Sequence, residues 1–167
     1  MTISSARITI KIDAEQTSTA GVSAVTSVTA IKNVIDFTNG TGANQASAVW
    51  TSTRTLSASA TEDLDFAGSL TDAFGTTVAA DRIKAIYVEA ASGNTNDVNV
   101  ARSSSNGVPM FLAASDGIPV SPGGALLLVA PNANAINVTA GTGDKLTFTN
   151  SAGTTSVTYT IAVIYTV

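Results

Sequence analysis

Arg82-Ile83-Lys84-Ala85-Ile86-Tyr87-Val88-Glu89-Ala90 is the stretch that decides the fold class. Ile83, Ala85, Tyr87 and Glu89 alternate with Lys84, Ile86 and Val88. Apolar residues on both sets of positions predict a strand in the middle of a sheet. Residues 157–167 behave similarly: the run Ile161-Ala162-Val163-Ile164-Tyr165 is apolar on both faces, so it too should lie centrally or be covered by a neighbour.

Short alternating segments extend outward from these two. Residues 47–56 place Ala48, Trp50, Ser52 and Arg54 on one face and Val49, Thr51 and Thr53 on the other. Residues 62–66 turn Leu64 and Phe66 inward and Asp63 and Asp65 outward, and residues 67–81 read as a loop punctuated by Gly68 and Gly75. Residues 98–101, 108–112, 125–129, 136–139 and 145–149 complete the series. Turns are written between them by Asn39-Gly40, Ser92-Gly93-Asn94, Asn106-Gly107, Asp116-Gly117, Pro122-Gly123-Gly124 and Gly141-Thr142-Gly143. About nine or ten strands at roughly ten-residue spacing, without a convincing amphipathic helix, predict an all-β chain: a single β-sandwich or jelly-roll-like domain.

The N-terminal region stands apart. Ile8, Ile10 and Ile12 alternate with Thr9, Lys11 and Asp13, giving a strand with one apolar face, and residues 15–21 are small and polar, as in a linker. This divides the chain into an N-terminal strand and linker (1–21), a possible arm, and a sandwich domain (22–167). Residues 22–37 support two assignments. Val22, Val25, Val28, Ile31 and Val34 recur every third residue, as in a helix, while the Thr, Ser and Val content favours strand; residues 33–37 are read as strand. Two roles for the first strand stand side by side. It is an ordinary first strand of its own sandwich, or an arm that pairs with a neighbouring subunit through an interface at Ile8, Ile10 and Ile12.

Composition narrows the function classes. The 167 residues suit one domain, or one domain plus an arm, with a sizeable core. The chain has no His and no Cys, and 12% of its residues are charged, against roughly 25% in soluble domains. Mean hydropathy is +0.29. Such a neutral, hydroxyl-rich surface has little charge repulsion to keep copies apart, which suits a protein surrounded by partners. A net charge of −4 with scattered Lys and Arg argues against nucleic acid. Without Cys there is no disulfide framework. The N-terminal residues lack the apolar stretch of a signal peptide, and no segment approaches a membrane-spanning length.

Candidate chemistry is sparse. Ser and Thr abound, but without His only a Ser–Lys dyad remains as a nucleophile. Glu62, Asp63, Asp65, Asp72 and Asp81 fall close together in sequence. Paired acids of that kind serve glycosidases, which also need an aromatic-lined cleft, and aromatics make up 5% of this chain. The same acids suit a hard cation, but they lack EF-hand spacing, and turn capping is the plainer role. Gly141-Thr142-Gly143-Asp144-Lys145 lacks the Gly-Lys-Ser/Thr and the following helix of a phosphate loop. Trp50, Tyr87, Tyr159 and Tyr165 would serve as a sugar platform only if exposed; their place in strand patterns points to packing. No catalytic, metal or cofactor-binding residues are expected.

Five stretches taken in order carry a family resemblance: Ala60-Thr61-Glu62-Asp63-Leu64-Asp65-Phe66-Ala67-Gly68-Ser69-Leu70-Thr71-Asp72-Ala73-Phe74-Gly75, Arg82-Ile83-Lys84-Ala85-Ile86, Pro122-Gly123-Gly124, Val138-Thr139-Ala140-Gly141-Thr142-Gly143-Asp144 and Tyr159-Thr160-Ile161-Ala162-Val163-Ile164. Across residues 43–164 the chain resembles a family of small virion structural proteins of tailed bacteriophages and prophages. The first forty residues match less well. The resemblance implies virion location and no catalysis, and it supplies no catalytic residues.

The resulting expectation is a head decoration, or cement, protein. It would be made in the host bacterial cytoplasm, seated on the capsid surface and bound to the major capsid protein, and would form a homotrimer at local threefold junctions. The alternatives are a tail, neck or head-fibre component and a carbohydrate-binding adhesion module. Burying Ile8, Ile10 and Ile12 on a neighbour yields about 5–9 kcal/mol gross, against an association cost on the order of 4–15 kcal/mol. One arm is marginal, whereas three arms acting together suffice.

Overall fold

The computed structural model describes residues 2–19, 21 and 23–167. Among these the chain is all-β, with twelve strands and no helix. In chain order they are β1 (Ala6–Ser18), β2 (Val25–Asn39), β3 (Gln45–Ala46), β4 (Ala48–Leu56), β5 (Thr61–Asp65), β6 (Arg82–Ala90), β7 (Val98–Arg102), β8 (Gly117–Val120), β9 (Ala125–Val129), β10 (Ile136–Asn137), β11 (Lys145–Asn150) and β12 (Val157–Thr166).

Two sheets form a β-sandwich-like body. One runs β10-β6-β12-β4, with β9 and β10 sharing one edge of β6; the other runs β5-β11-β7-β8. β6 and β12 are central, as their two-sided apolar patterns require. Alternate residues of each sheet meet in the core: Trp50, Ile86, Val88, Tyr159, Ile161 and Val163 from the first, Leu64, Val98, Val100, Leu146 and Phe148 from the second. Two aromatic pairs bridge the sheets. Phe148 stacks on Tyr159 with centroids 4.7 Å apart, and Trp50 meets Phe66 edge to face at 6.0 Å.

One charged cluster closes the rim of this core. Arg54 donates from Nε and Nη2 to Glu62 Oε2 at 2.8 and 2.5 Å, and the Tyr159 hydroxyl donates to Glu62 Oε1 at 2.8 Å. Burial pushes the Glu62 carboxyl up, but the Arg54 and Tyr159 hydrogen bonds and the Arg54 charge hold it below its ordinary value. Burial and the bond to Glu62 raise the Tyr159 hydroxyl far above the usual phenol range, so it stays a donor.

Two expectations fail here, and one open assignment is decided. Residues 108–112 form no strand: Val108 is buried, but the chain then turns outward. The strand is β8 instead, hidden in the sequence by Gly117 and Pro119. Gly117 lies so close to β7 that a Cβ would come 2.5 Å from the Val100 carbonyl oxygen. Pro119 is tolerated because β8 is an edge strand. The expected linker at 15–21 is strand as far as Ser18, with Ala20 outside the described residues. Residues 25–39 are a single strand, which removes the helical alternative for that segment; Val22 lies outside the described residues.

β1 and β2 pair antiparallel without a break from Ala6↔Phe37 to Ser18↔Val25, so the 21/22 boundary falls at the tip of a long hairpin. Phe37, 1% exposed, anchors its root. β3 pairs parallel to the end of β2, and Asn44 N–H donates to the Pro131 carbonyl at 2.7 Å. Lys84, fully buried at the register shift between β6 and β12, ties this root to the next loop: its Nζ donates to the carbonyls of Gly42 (3.0 Å), Asn132 (2.7 Å) and Ala133 (3.5 Å).

Candidate interaction surface

In an antiparallel ribbon, directly opposed residues share a face. The register therefore sorts the hairpin, or arm, into two unlike surfaces. Arg7, Lys11, Asp13, Glu15, Lys32 and Asp36 all lie on one face, where Arg7 and Asp36 pair at 2.5 and 3.1 Å and Lys11 pairs with Asp13. The opposite face carries no charge. Its root half holds Ile8 opposite Ile35, Ile10 opposite Asn33 and Ile12 opposite Ile31; its distal half holds Ala14, Gln16, Ser18, Val25, Ser27 and Thr29.

The three isoleucines singled out by sequence thus share one surface, and β2 adds Ile31 and Ile35 to it. Ile8, Ile10 and Ile35 are half-buried, whereas Ile12 and Ile31 are 53% and 54% exposed. Sequence reasoning missed the β2 contribution because its apolar residues recur every third position. In a strand that spacing alternates faces, sending Val25 and Ile31 to the uncharged side and Val28 and Val34 to the charged one. The available signal was β-branching, which favours strand.

A second weakly charged surface lies on the outside of the β9-β6-β12-β4 sheet. Registers place Val49, Thr51, Thr53 and Thr55 of β4, Thr158, Thr160, Ala162 and Ile164 of β12, Ala85, Tyr87 and Glu89 of β6, and Ala125, Leu127 and Val129 of β9 on this face. Its charged residues lie near the two ends of β6: Arg82, opposite Thr166, and Glu89, which accepts the Tyr87 hydroxyl at 2.8 Å. Cross-strand threonine hydroxyls pair at 3.2 Å (Thr53–Thr160) and 3.0 Å (Thr55–Thr158). A recess of about 300 Å³ separates β1 from this sheet, lined by Arg7, Ile8 and Thr9 on the arm side and by the mostly apolar Ala85, Tyr87, Leu127, Ala162 and Ile164 on the sheet side. Two loop tips add single exposed apolar residues, Phe74 and Leu112.

The residues considered for chemistry are placed otherwise. Asp65 caps Ala67 N–H at 2.9 Å, and Asp72 caps Phe74 and Thr76 N–H at 2.8 and 2.9 Å. Asp63 accepts from Thr147 Oγ1 at 2.6 Å. Among the described residues no three acidic side chains converge on a common point. The 141–145 segment is a turn, with Asp144 accepting from Gly141 N–H ahead of β11. Trp50 is 4% exposed and donates its indole N–H to the Thr71 carbonyl at 3.1 Å, while Tyr159 and Tyr165 are buried, so no aromatic platform faces solvent at these positions. Among the described residues no helix is long and apolar enough to cross a membrane. Comparison with protein-family models, with curated proteins and with solved structures yields no match.

Proposed function

We propose that this chain is a structural component of a tailed-phage virion: a decoration protein that sits on the capsid surface, binds the major capsid protein lattice and assembles with copies of itself as a trimer. The observation that carries this reading is the arm, an unbroken ribbon of thirteen opposed pairs with one face free of charge. A two-stranded ribbon alone in water is marginal at best, and exposed branched side chains along it gain free energy only when something covers them. A protein whose longest element is unfinished in isolation is suited to assembly. The ordered sequence resemblance to phage virion proteins supplies the setting, and the low-charge surface fits it.

A virion reconstruction tests the reading. Copies distributed over the head lattice at threefold positions are the expected result. A single ring at one vertex would assign the chain to the neck or tail instead, and absence from the particle would end the proposal.

A further inference from the structure

We propose that the outer face of the β9-β6-β12-β4 sheet receives the uncharged arm face of a second copy of this chain, with Ile12 and Ile31 seated beside Tyr87, Leu127 and Ile164. The inference rests on reading the arm as an assembly element and does not depend on where the assembly resides.

The two surfaces match in character. All six charges of the arm lie on its other side, and the receiving face carries charge only near the two ends of β6, at Arg82 and Glu89. The arm face brings no charge of its own to the contact, and the middle of the receiving face, around Tyr87, Leu127 and Ile164, holds none to be buried. Along the arm the apolar half would meet the apolar part of the sheet, while the Ser, Thr and Gln of the distal half would meet the threonine rows of β4 and β12.

The occupant cannot be the same copy's arm. Pairing runs unbroken from Ala6 to Ser18, so the ribbon does not fold back, and the exposure of Ile12 and Ile31 shows that it leaves its own sheet after the root. The root edges the recess through Arg7, Ile8 and Thr9, and space of about 300 Å³ remains against the apolar side chains of the sheet.

Area favours a closed assembly over a single contact. The ribbon beyond its half-buried root, eight residues of β1 from 11 to 18, at ~3.3 Å per residue and roughly 10 Å wide covers about 260 Å², or about 530 Å² counted on both partners. One such contact is below the usual size of a stable interface, but the contact is head to tail, and a head-to-tail contact closes into a ring when its rotation returns on itself. Releasing a copy from a closed trimer breaks two contacts, about 1,060 Å², the size of a weak specific interface.

Mixing experiments with the full-length protein test this directly. The Ile12→Asp/Ile31→Asp variant keeps an intact sheet, and the Leu127→Asp variant keeps an intact arm. Each should self-associate roughly 100-fold more weakly than the parent, and their mixture, which restores one contact, should form a one-to-one pair more readily than either variant pairs with itself, though more weakly than the parent assembles. A mixture that associates no more than the separate variants at the same high concentration, or a Leu127→Asp protein that assembles like the parent, would overturn the proposal. Because the chain has no cysteine, crosslinking adds a readout on near-native protein. Ile12→Cys mixed with Leu127→Cys should give the mixed disulfide on oxidation; predominant Ile12→Cys homodimers would instead show arms packed on arms. If these tests succeed and virions lack the protein, the arm contact stands and the proposed function falls. If virions carry the protein and these tests fail, the reverse holds.

Discussion

Ile12 of β1 lies directly opposite Ile31 of β2, on the uncharged face of the arm, and both side chains are more than half exposed. Neither belongs to the sandwich core, so arm and body are energetically separable. At concentrations low enough for the parent to be a single copy, replacing both with Asp should leave the thermal unfolding of the sandwich within about 0.5 kcal/mol of the parent. Trp50, the single tryptophan and a core residue, reports that transition by fluorescence.

The body should respond very differently. Phe148 is fully buried and stacks on Tyr159 with planes 1° apart, joining the two sheets. Phe148→Ala should cost about 3–5 kcal/mol, from lost burial plus the cavity left behind, measured as a shift in the chemical denaturation midpoint.

Lys84 offers a test of how the arm is held. Burial lowers its pKa, with Arg82 adding repulsion, yet its Nζ supplies hydrogen bonds to three loop carbonyls. Lys84→Met fills the space but leaves those carbonyls without their donor. A loss of about 1–3 kcal/mol is expected, together with faster amide hydrogen exchange at Asn44, whose N–H bond to Pro131 depends on the same loop pairing.

The Arg54–Glu62–Tyr159 cluster predicts a pH dependence. The folded-state pKa of Glu62 lies below its ordinary value of 4.5. Its contribution is therefore fully present above about pH 4.5 and is lost as pH falls through the lower, folded-state value. Glu62→Gln should be less stable at neutral pH by about 1 kcal/mol and should lose less further stability than the parent on acidification below pH 4.5, as followed by unfolding at stepped pH.

Much of the body was legible because burial imposes simple patterns. β6 and β12 are apolar on both faces and proved central, while β4 and β5 alternate as one-sided strands do. The faces assigned to Ala48, Trp50, Leu64 and Phe66 were also correct. What was missed has physical causes. β3 and β10 are two residues long, too short for any period to register. β8 carries Gly and Pro, which read as turn residues, and at 108–112 an apolar run packs through Val108 and Met110 with a backbone bond from Val108 N–H to the Lys145 carbonyl but no strand. The arm was half visible: Ile8, Ile10 and Ile12 marked β1, but β2 displays apolar residues on both faces and so lacks the alternation that burial against one core would impose.

Sedimentation of the purified chain over a wide concentration range tests the central claim most directly. A uniform closed species with three times the 16.8 kDa chain mass, converted to single copies by Ile12→Asp/Ile31→Asp, is the expected result. A parent protein that remains a single copy at the highest concentration reached would contradict it.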